Sequence, residues 1–215
     1  RTPELKKSIV KFSTSELYGS PQTFKYKKYF FSKGFYLSPT TARYIKNLSD
    51  LISIFGSLEG MKIVEIGGGY GGLCKIICDV FKIHSYTLFD LSPCLKLSER
   101  FLKNFNTPTV SYLTDKIMPK NEKFDIVISN YAFSELSSKL QNLYYSNILK
   151  HSNRGYLTCN FKTHTWDRKQ MQVEDFSDFP NFKVYNSSPF LGNIDVMCGV
   201  SLITWERNLS PPLDE

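Results

Sequence analysis

MKIVEIGGGYGGLCKIICDVF, running from Met61 to Phe81, carries the strongest structural signal in this 215-residue chain. Ile63, Val64 and Ile66 form a short apolar run with the character of a buried parallel strand. Gly67, Gly68, Gly69, Gly71 and Gly72 follow, and then Leu73, Ile76, Ile77, Val80 and Phe81 recur on one helical face. Strand, glycine turn and helix in that order make the first half of a nucleotide-binding βαβ unit. Such a turn needs glycine because a ligand must approach the backbone where a Cβ would collide. The helix behind it offers free N–H groups to an electron-rich ligand.

Two ligand classes use a turn of this kind. Gly67-x-Gly69-x-x-Gly72 satisfies the dinucleotide fingerprint, which is a weak signal by itself. The same residues read Glu65-x-Gly67-x-Gly69-x-Gly71, an acid two places before the first glycine. In that form they resemble motif I of the class I S-adenosylmethionine (SAM) methyltransferases. Charge separates the two. A dinucleotide brings a pyrophosphate, which an acid at the strand end repels, whereas SAM brings a sulfonium and an ammonium, which it attracts. Glu65 therefore favours SAM over NAD(P).

Length and composition narrow the rest. The chain is long enough for one α/β domain with a full core and too short for two ordinary ones. It has no apolar run of membrane-spanning length and no signal peptide, so we expect no membrane partner. A start at Arg1 leads us to expect an excised domain. Cys74, Cys78, Cys94, Cys159 and Cys198 are odd in number and lack metal spacing, which suggests reduced thiols in a cytoplasmic setting and no metal site. The net charge of +7 is concentrated in residues 1–36, where eight Lys/Arg face Glu4 and Glu16. This basic, aromatic stretch (FKYKKYFF) reads as a cap packed on the main domain, residues 37–215, and does not by itself make a nucleic-acid site.

Ser38-Pro39-Thr40-Thr41 opens a helix carrying Tyr44, Ile45, Leu48, Leu51, Ile52 and Phe55, ending at Gly56. After the central unit, HSYTLFD is a second strand ending in Asp90, 23 residues beyond Gly67, where a βαβ unit delivers a ribose-binding carboxylate. Ser92 with Pro93 is expected to cap the following helix, which leaves Asp90 and its neighbour Leu91 for the cofactor. Thr109–Leu113 reads as the third strand, with Asp115 in the loop behind it. Lys123–Asn130 is the fourth strand and runs into YAFSEL and a helix through Leu149. That places Asn130, Tyr131 and Glu135 beside the glycine turn, because ligands sit at the carboxyl ends of the strands where strand order reverses. The segment Asn130-Tyr131-Ala132-Phe133 lacks the prolines of the base-methylating tetrad. Gly155–Phe161 is the fifth strand, followed by His164 and Trp166. A helix-like segment from Gln170 to Phe176 leads to a sixth strand at Phe182–Tyr185 and a last at Val196–Trp205.

VEIGGGYGGL, LFDLSPCL and FDIVISNYAFSELS, with the lead-in SPTTARYIKNLSDL, resemble the sugar O-methyltransferase family found in bacterial and viral glycan gene sets. They are also similar to the methyltransferase domains that end multidomain chlorovirus glycosyltransferases, which methylate rhamnose. The resemblance implies an α/β, Rossmann-like class I methyltransferase fold: a mostly parallel seven-stranded sheet, an antiparallel final strand, and helices on both faces. It implies SAM as cofactor, S-adenosylhomocysteine as product, and a sugar or glycan acceptor supplied alongside a glycosyltransferase. It assigns Glu65, Gly67, Gly69, Gly71 and Asp90 to the cofactor, and the class places an acid such as Asp115 near the adenine amino group.

Methyl transfer to a hydroxyl requires an aligned acceptor oxygen and a group that accepts its proton. Glu135 and His164 are the base candidates, each following a strand end on the ligand side; Tyr131 and Trp166 are the candidates for a wall against the sugar ring. The alternatives are an NAD(P)-dependent oxidoreductase on the same turn, or a non-catalytic module of this fold whose basic arm binds RNA.

Overall fold

Hydrophobic alternation along the central strands sets the layers. The protein was examined as a computed structural model, which describes residues 3–26, 35–119, 122–161, 169–185 and 200–207. The chain begins with helix α1 (Pro3–Ser13), a 3-10 turn (Thr14–Leu17) and an antiparallel pair, β1 (Phe24–Tyr26) and β2 (Phe35–Leu37). It continues through α2 (Pro39–Phe55), β3 (Lys62–Ile66), α3 (Gly72–Cys78), β4 (Ser85–Phe89), α4 (Ser92–Leu102), β5 (Val110–Leu113) and β6 (Phe124–Asn130). The remaining elements are α5 (Ala132–Glu135), α6 (Ser138–Asn147), β7 (Ser152–Asn160), β8 (Lys183–Tyr185) and β9 (Val200–Glu206).

The seven strands of the main sheet lie in the order β5-β4-β3-β6-β7-β9-β8. The pairs from β5 to β7 are parallel, and β9 runs antiparallel to both β7 and β8. On β3, Ile63 faces the core cluster built with Leu48 and Leu51 of α2 and Leu73, Ile76 and Ile77 of α3. Val64 and Ile66 face the opposite cluster, with Phe133 of α5 and Tyr144 of α6. Helices thus cover both faces, as a sheet buried on both sides requires. Strand order reverses between β3 and β6, which fixes where a ligand crevice opens.

Helix α2 starts as the sequence predicts. Ser38 caps it, its hydroxyl accepting from the Thr41 amide at 3.2 Å, with Pro39 in the first turn, and the helix closes at Gly56 with φ 78°. Elsewhere local chemistry shortens what periodicity predicts. Helix α3 ends at Cys78, where the Val80 amide tightens onto the Ile77 carbonyl three residues back, a carbonyl it shares with the Phe81 amide. Lys75 on α3 is 1% exposed; it donates to the Lys11 carbonyl and, at 2.6 Å, to Asp79, so α1 is tied to the body. Burial lowers the pKa of Lys75, against the Asp79 carboxylate, which raises it.

Three further expectations need correction. Ser92 is not a cap: α4 begins at Ser92 behind Leu91, which makes no side-chain cap bond. The helix after β6 is broken, since Leu136 is extended (ψ 153°) and separates α5 from α6. Gln141 donates to the Phe133 carbonyl at 3.0 Å and Gln170 to the Leu136 carbonyl at 2.6 Å, which satisfies backbone freed by the break. Of the segment Gln170–Phe176, only Val173–Phe176 coils, as one 3-10 turn held by a Gln172–Asp175 capping box.

Where β7 pairs with β9, Gly155 lies opposite Trp205, whose ring stacks on Phe179 at 4.2 Å between centroids. A Cβ at Gly155 would meet that buried ring at 2.2 Å. Gly155→Ala is therefore expected to cost about 1–3 kcal/mol of stability by overpacking. A urea midpoint equal to wild type would contradict this packing.

Candidate functional site

At the carboxyl ends of β3, β4 and β6 lies a cavity of about 600 Å³. Glu65, Gly67, Asp90, Asn130, Tyr131 and Glu135 line it, together with Arg43, Tyr44 and Ala132. Glu65 is its floor. One residue past Val64 on the strand, it turns to the α2/α3 side of the sheet and is 2% exposed. Tyr86, on the neighbouring β4, donates its hydroxyl to the Glu65 carboxylate at 2.7 Å. Among the described residues no Lys, Arg or His comes within 4.0 Å of that carboxylate. Burial lifts its pKa to about 8, against the lowering effect of the Tyr86 hydrogen bond, and the Asp90 charge adds to the rise. The sequence places this acid at the mouth of the loop, but it stands beneath it.

Asp90 holds the glycine turn rather than starting α4. One of its oxygens accepts from the Gly69 amide at 2.8 Å and the other from the Leu91 amide at 2.7 Å. Each oxygen keeps a further lone pair for a ligand donor. Gly67, at φ 80°, is a position only glycine fills, because a Cβ there would sit 2.0 Å from the Ala132 Cβ. Gly71, also at positive φ, precedes the first turn of α3. At the end of β6, Tyr131 takes φ 69°, a strained value for a tyrosine, and turns the chain into α5. Ser129 steadies that turn, donating to the Ile66 carbonyl at 2.9 Å and accepting from the Phe133 amide at 3.1 Å.

The remaining sequence candidates fall in different places. Leu91 is 72% exposed and Asp115 is an exposed residue in the turn after β5; neither lines the cavity, although the Asp90 and Asp115 charges both act on Tyr144. His164, Trp166 and the first residues of the expected last strand lie outside the described residues. Cys74, Cys78, Cys94 and Cys159 are free thiols. Among the described residues there is no cluster of three His, Cys, Asp or Glu side chains, and no helix long and apolar enough to cross a membrane.

Residues of α2 enter the site without having been singled out by pattern. Asn47, 5% exposed, donates from Nδ2 to the Asn130 Oδ1 at 3.0 Å. That bond leaves the Asn130 Nδ2 buried without a partner, at the lining of the cavity. Arg43 and Tyr44 stand one turn earlier, with the guanidinium 5.9 Å from the Tyr44 ring centroid. One signal was available: Asn47 interrupts the apolar face of a helix, where a buried amide needs a partner.

No protein-family model matches the chain. No curated protein matches it either. Solved structures do, at low identity. Phosphoethanolamine N-methyltransferase 1 of Haemonchus contortus, in complex with phosphoethanolamine and S-adenosylhomocysteine, is 12% identical with a TM-score of 0.56, over 82% of this chain and 45% of that one. Magnesium protoporphyrin IX methyltransferase of Synechocystis, with bound SAM, is 14% identical with a TM-score of 0.51, over 76% of this chain and 77% of that one. The Thermoplasma acidophilum protein 1320 gives 14%, 0.52, 79% and 91% on the same measures. The chain has the Rossmann-like fold that class I SAM-dependent methyltransferases share.

Glu65 makes stability depend on pH. Its folded-state pKa lies above the ordinary value, so its contribution is complete below about pH 4.5 and is lost as pH rises through about 8. Glu65→Gln removes that dependence. Urea unfolding at pH 6 and pH 8.5 should show the variant gaining on wild type at the higher pH; a constant difference between the two would contradict the assignment.

Proposed function

We propose that the protein is a SAM-dependent O-methyltransferase that methylates a sugar hydroxyl, with rhamnose in a glycan as its acceptor. The observation that carries the donor is the buried Glu65 carboxyl, which lines the cavity with no cation among the described residues within 4.0 Å. A linked pyrophosphate would hold that carboxyl in its protonated form and gain nothing from it, whereas a cationic donor draws it into the ionised form and pairs with it. The other groups fit the same donor. Asp90 has acceptor capacity for ribose hydroxyls, the space a Gly69 Cβ would enter is open, and the Asn130 Nδ2 still lacks an acceptor.

Bound SAM supplies an electrophilic methyl carbon on a sulfonium, open to in-line displacement. The chain then has to orient the acceptor and take its proton. Glu135 lines the cavity and is the base we assign. Tyr131, held in its turn, forms one wall for the sugar ring. The sugar rests on the sequence resemblance, which also supports an acceptor made by an accompanying glycosyltransferase in the cytoplasm. Arg43 lines the same cavity and is available to an anionic group of either ligand.

Thermal shift separates the donor classes, since a ligand that binds only the folded state raises its melting temperature. S-adenosylhomocysteine should stabilise the protein and NADH should not; the reverse result overturns the reading. With labelled SAM and methyl α-rhamnopyranoside, methyl incorporation should fall about 10²–10⁴-fold in Glu135→Gln, with S-adenosylhomocysteine binding unchanged. Undiminished turnover would remove Glu135 from the mechanism.

A further inference from the structure

A second cavity, of about 660 Å³, opens on the other side of the glycine loop, between the N-terminal segment, the start of α2 and the outer face of α4. It shares no lining residue with the first. The Tyr44 and Tyr70 rings, 5.9 Å apart, stand between them, Tyr44 lining one and Tyr70 the other.

Two buried polar atoms on residues that line this second cavity have no hydrogen-bond partner among the described residues: the Ser15 Oγ and the Glu16 Oε2. Ser15 is 5% exposed. Buried groups of this kind are costly to leave unpaired, and two of them on consecutive residues of one cavity wall mark a place where something else completes the bonding. The Glu16 carboxylate is also fixed in direction. Its other oxygen accepts from the Ser38 amide at 2.9 Å and the Ser38 hydroxyl at 3.2 Å, which aims Oε2 as a stationary acceptor. An ionised carboxylate only accepts, so the missing group is a donor.

The rest of the wall narrows the ligand. Phe101 meets Tyr70 edge-on at 4.9 Å and Tyr18 at 6.0 Å, which forms an aromatic corner. Among the described residues Glu16 and Arg100 are the charged ones that line the cavity, and they are opposite in sign. A strongly charged ligand gains little there. A neutral ring with hydroxyls at its edge and C–H groups on its face uses all of it.

We propose that this cavity binds a pyranose unit, with Glu16 Oε2 and Ser15 Oγ taking its hydroxyls and the Tyr18–Tyr70–Phe101 corner taking its apolar face. As a binding site it stands alone. It rests on the methyltransferase reading only for its role, as the seat of a sugar of the acceptor glycan beside the one that is methylated. Tyr70 belongs to the cofactor loop, so a sugar held here touches the element that holds the donor.

Saturation-transfer NMR on the full chain tests it, with methyl α-rhamnopyranoside and methyl β-glucopyranoside as probes. At least one pyranoside should receive saturation from the wild-type protein. Ser15→Ala and Glu16→Gln should weaken its binding about fivefold, the worth of one hydrogen bond. Leu97→Trp fills the rim from a residue that is 54% exposed, and should remove the part of the signal that depends on Ser15 and Glu16, leaving only what the first cavity contributes. Because Glu16 also anchors α2, Leu97→Trp keeps the test decisive if Glu16→Gln does not fold. Absence of saturation in wild type, or a signal undiminished in Leu97→Trp, overturns the site. Glu16-dependent binding of ethanolamine with neither pyranoside bound overturns the ligand class. Failure here with intact methyl transfer leaves the proposed activity standing; pyranoside binding without S-adenosylhomocysteine binding does the opposite.

Discussion

Tyr86 donates its hydroxyl hydrogen to Glu65 at 2.7 Å where the acid is only 2% exposed, and among the described residues no cation comes within 4.0 Å of that carboxyl. An ionised carboxylate in such a place pays a large desolvation cost, which is why its pKa rises to about 8. The cost is structural before it is functional. Strand alternation puts Glu65 on the α2/α3 face, next to Ile63 and Tyr86, where an apolar side chain would pack without penalty. A chain that keeps an acid there gains from it only when a positive charge enters the cavity above. The glycine turn, the Asp90 latch on Gly69 and the narrow approach of Gly67 to Ala132 shape that cavity.

The N-terminal segment is part of this arrangement. Lys75, buried on α3, holds the end of α1, while Glu16 holds the start of α2. Helix α2 then carries Arg43 and Tyr44 to the cavity, and Asn47 behind it fixes which way the Asn130 amide faces. The segment therefore supports the site through α2, and Tyr70 relays contact between the two cavities.

The sheet was legible because its strands are apolar runs separated by strong turn signals. The mostly parallel direction and the antiparallel last strand followed from the βαβ pattern and the family likeness. That Glu65, Gly67, Asp90 and Asn130 line one cavity was legible for the same reason, since they occupy strand ends that topology brings together; Leu91 and Asp115, named with them, do not line it. Helix ends were less so. Leu136 breaks a helix that periodicity continues, because Gln141 on α6 satisfies the Phe133 carbonyl and Gln170, far along the chain, satisfies the Leu136 carbonyl. Leu91 takes the cap position that Ser92 is suited to, because Asp90 is drawn to the Leu91 and Gly69 amides. The depth of Glu65 and the Asn47–Asn130 pair depend on contacts between distant segments, which spacing along one strand or helix does not encode.

Calorimetric titration with SAM near pH 7, in two buffers of different ionisation enthalpy, counts the protons exchanged on binding. If a cationic donor settles over Glu65, that carboxyl ionises as it enters, and wild type releases about one proton more per ligand than Glu65→Gln. Equal proton counts in the two proteins, with SAM bound equally tightly, would contradict the central claim.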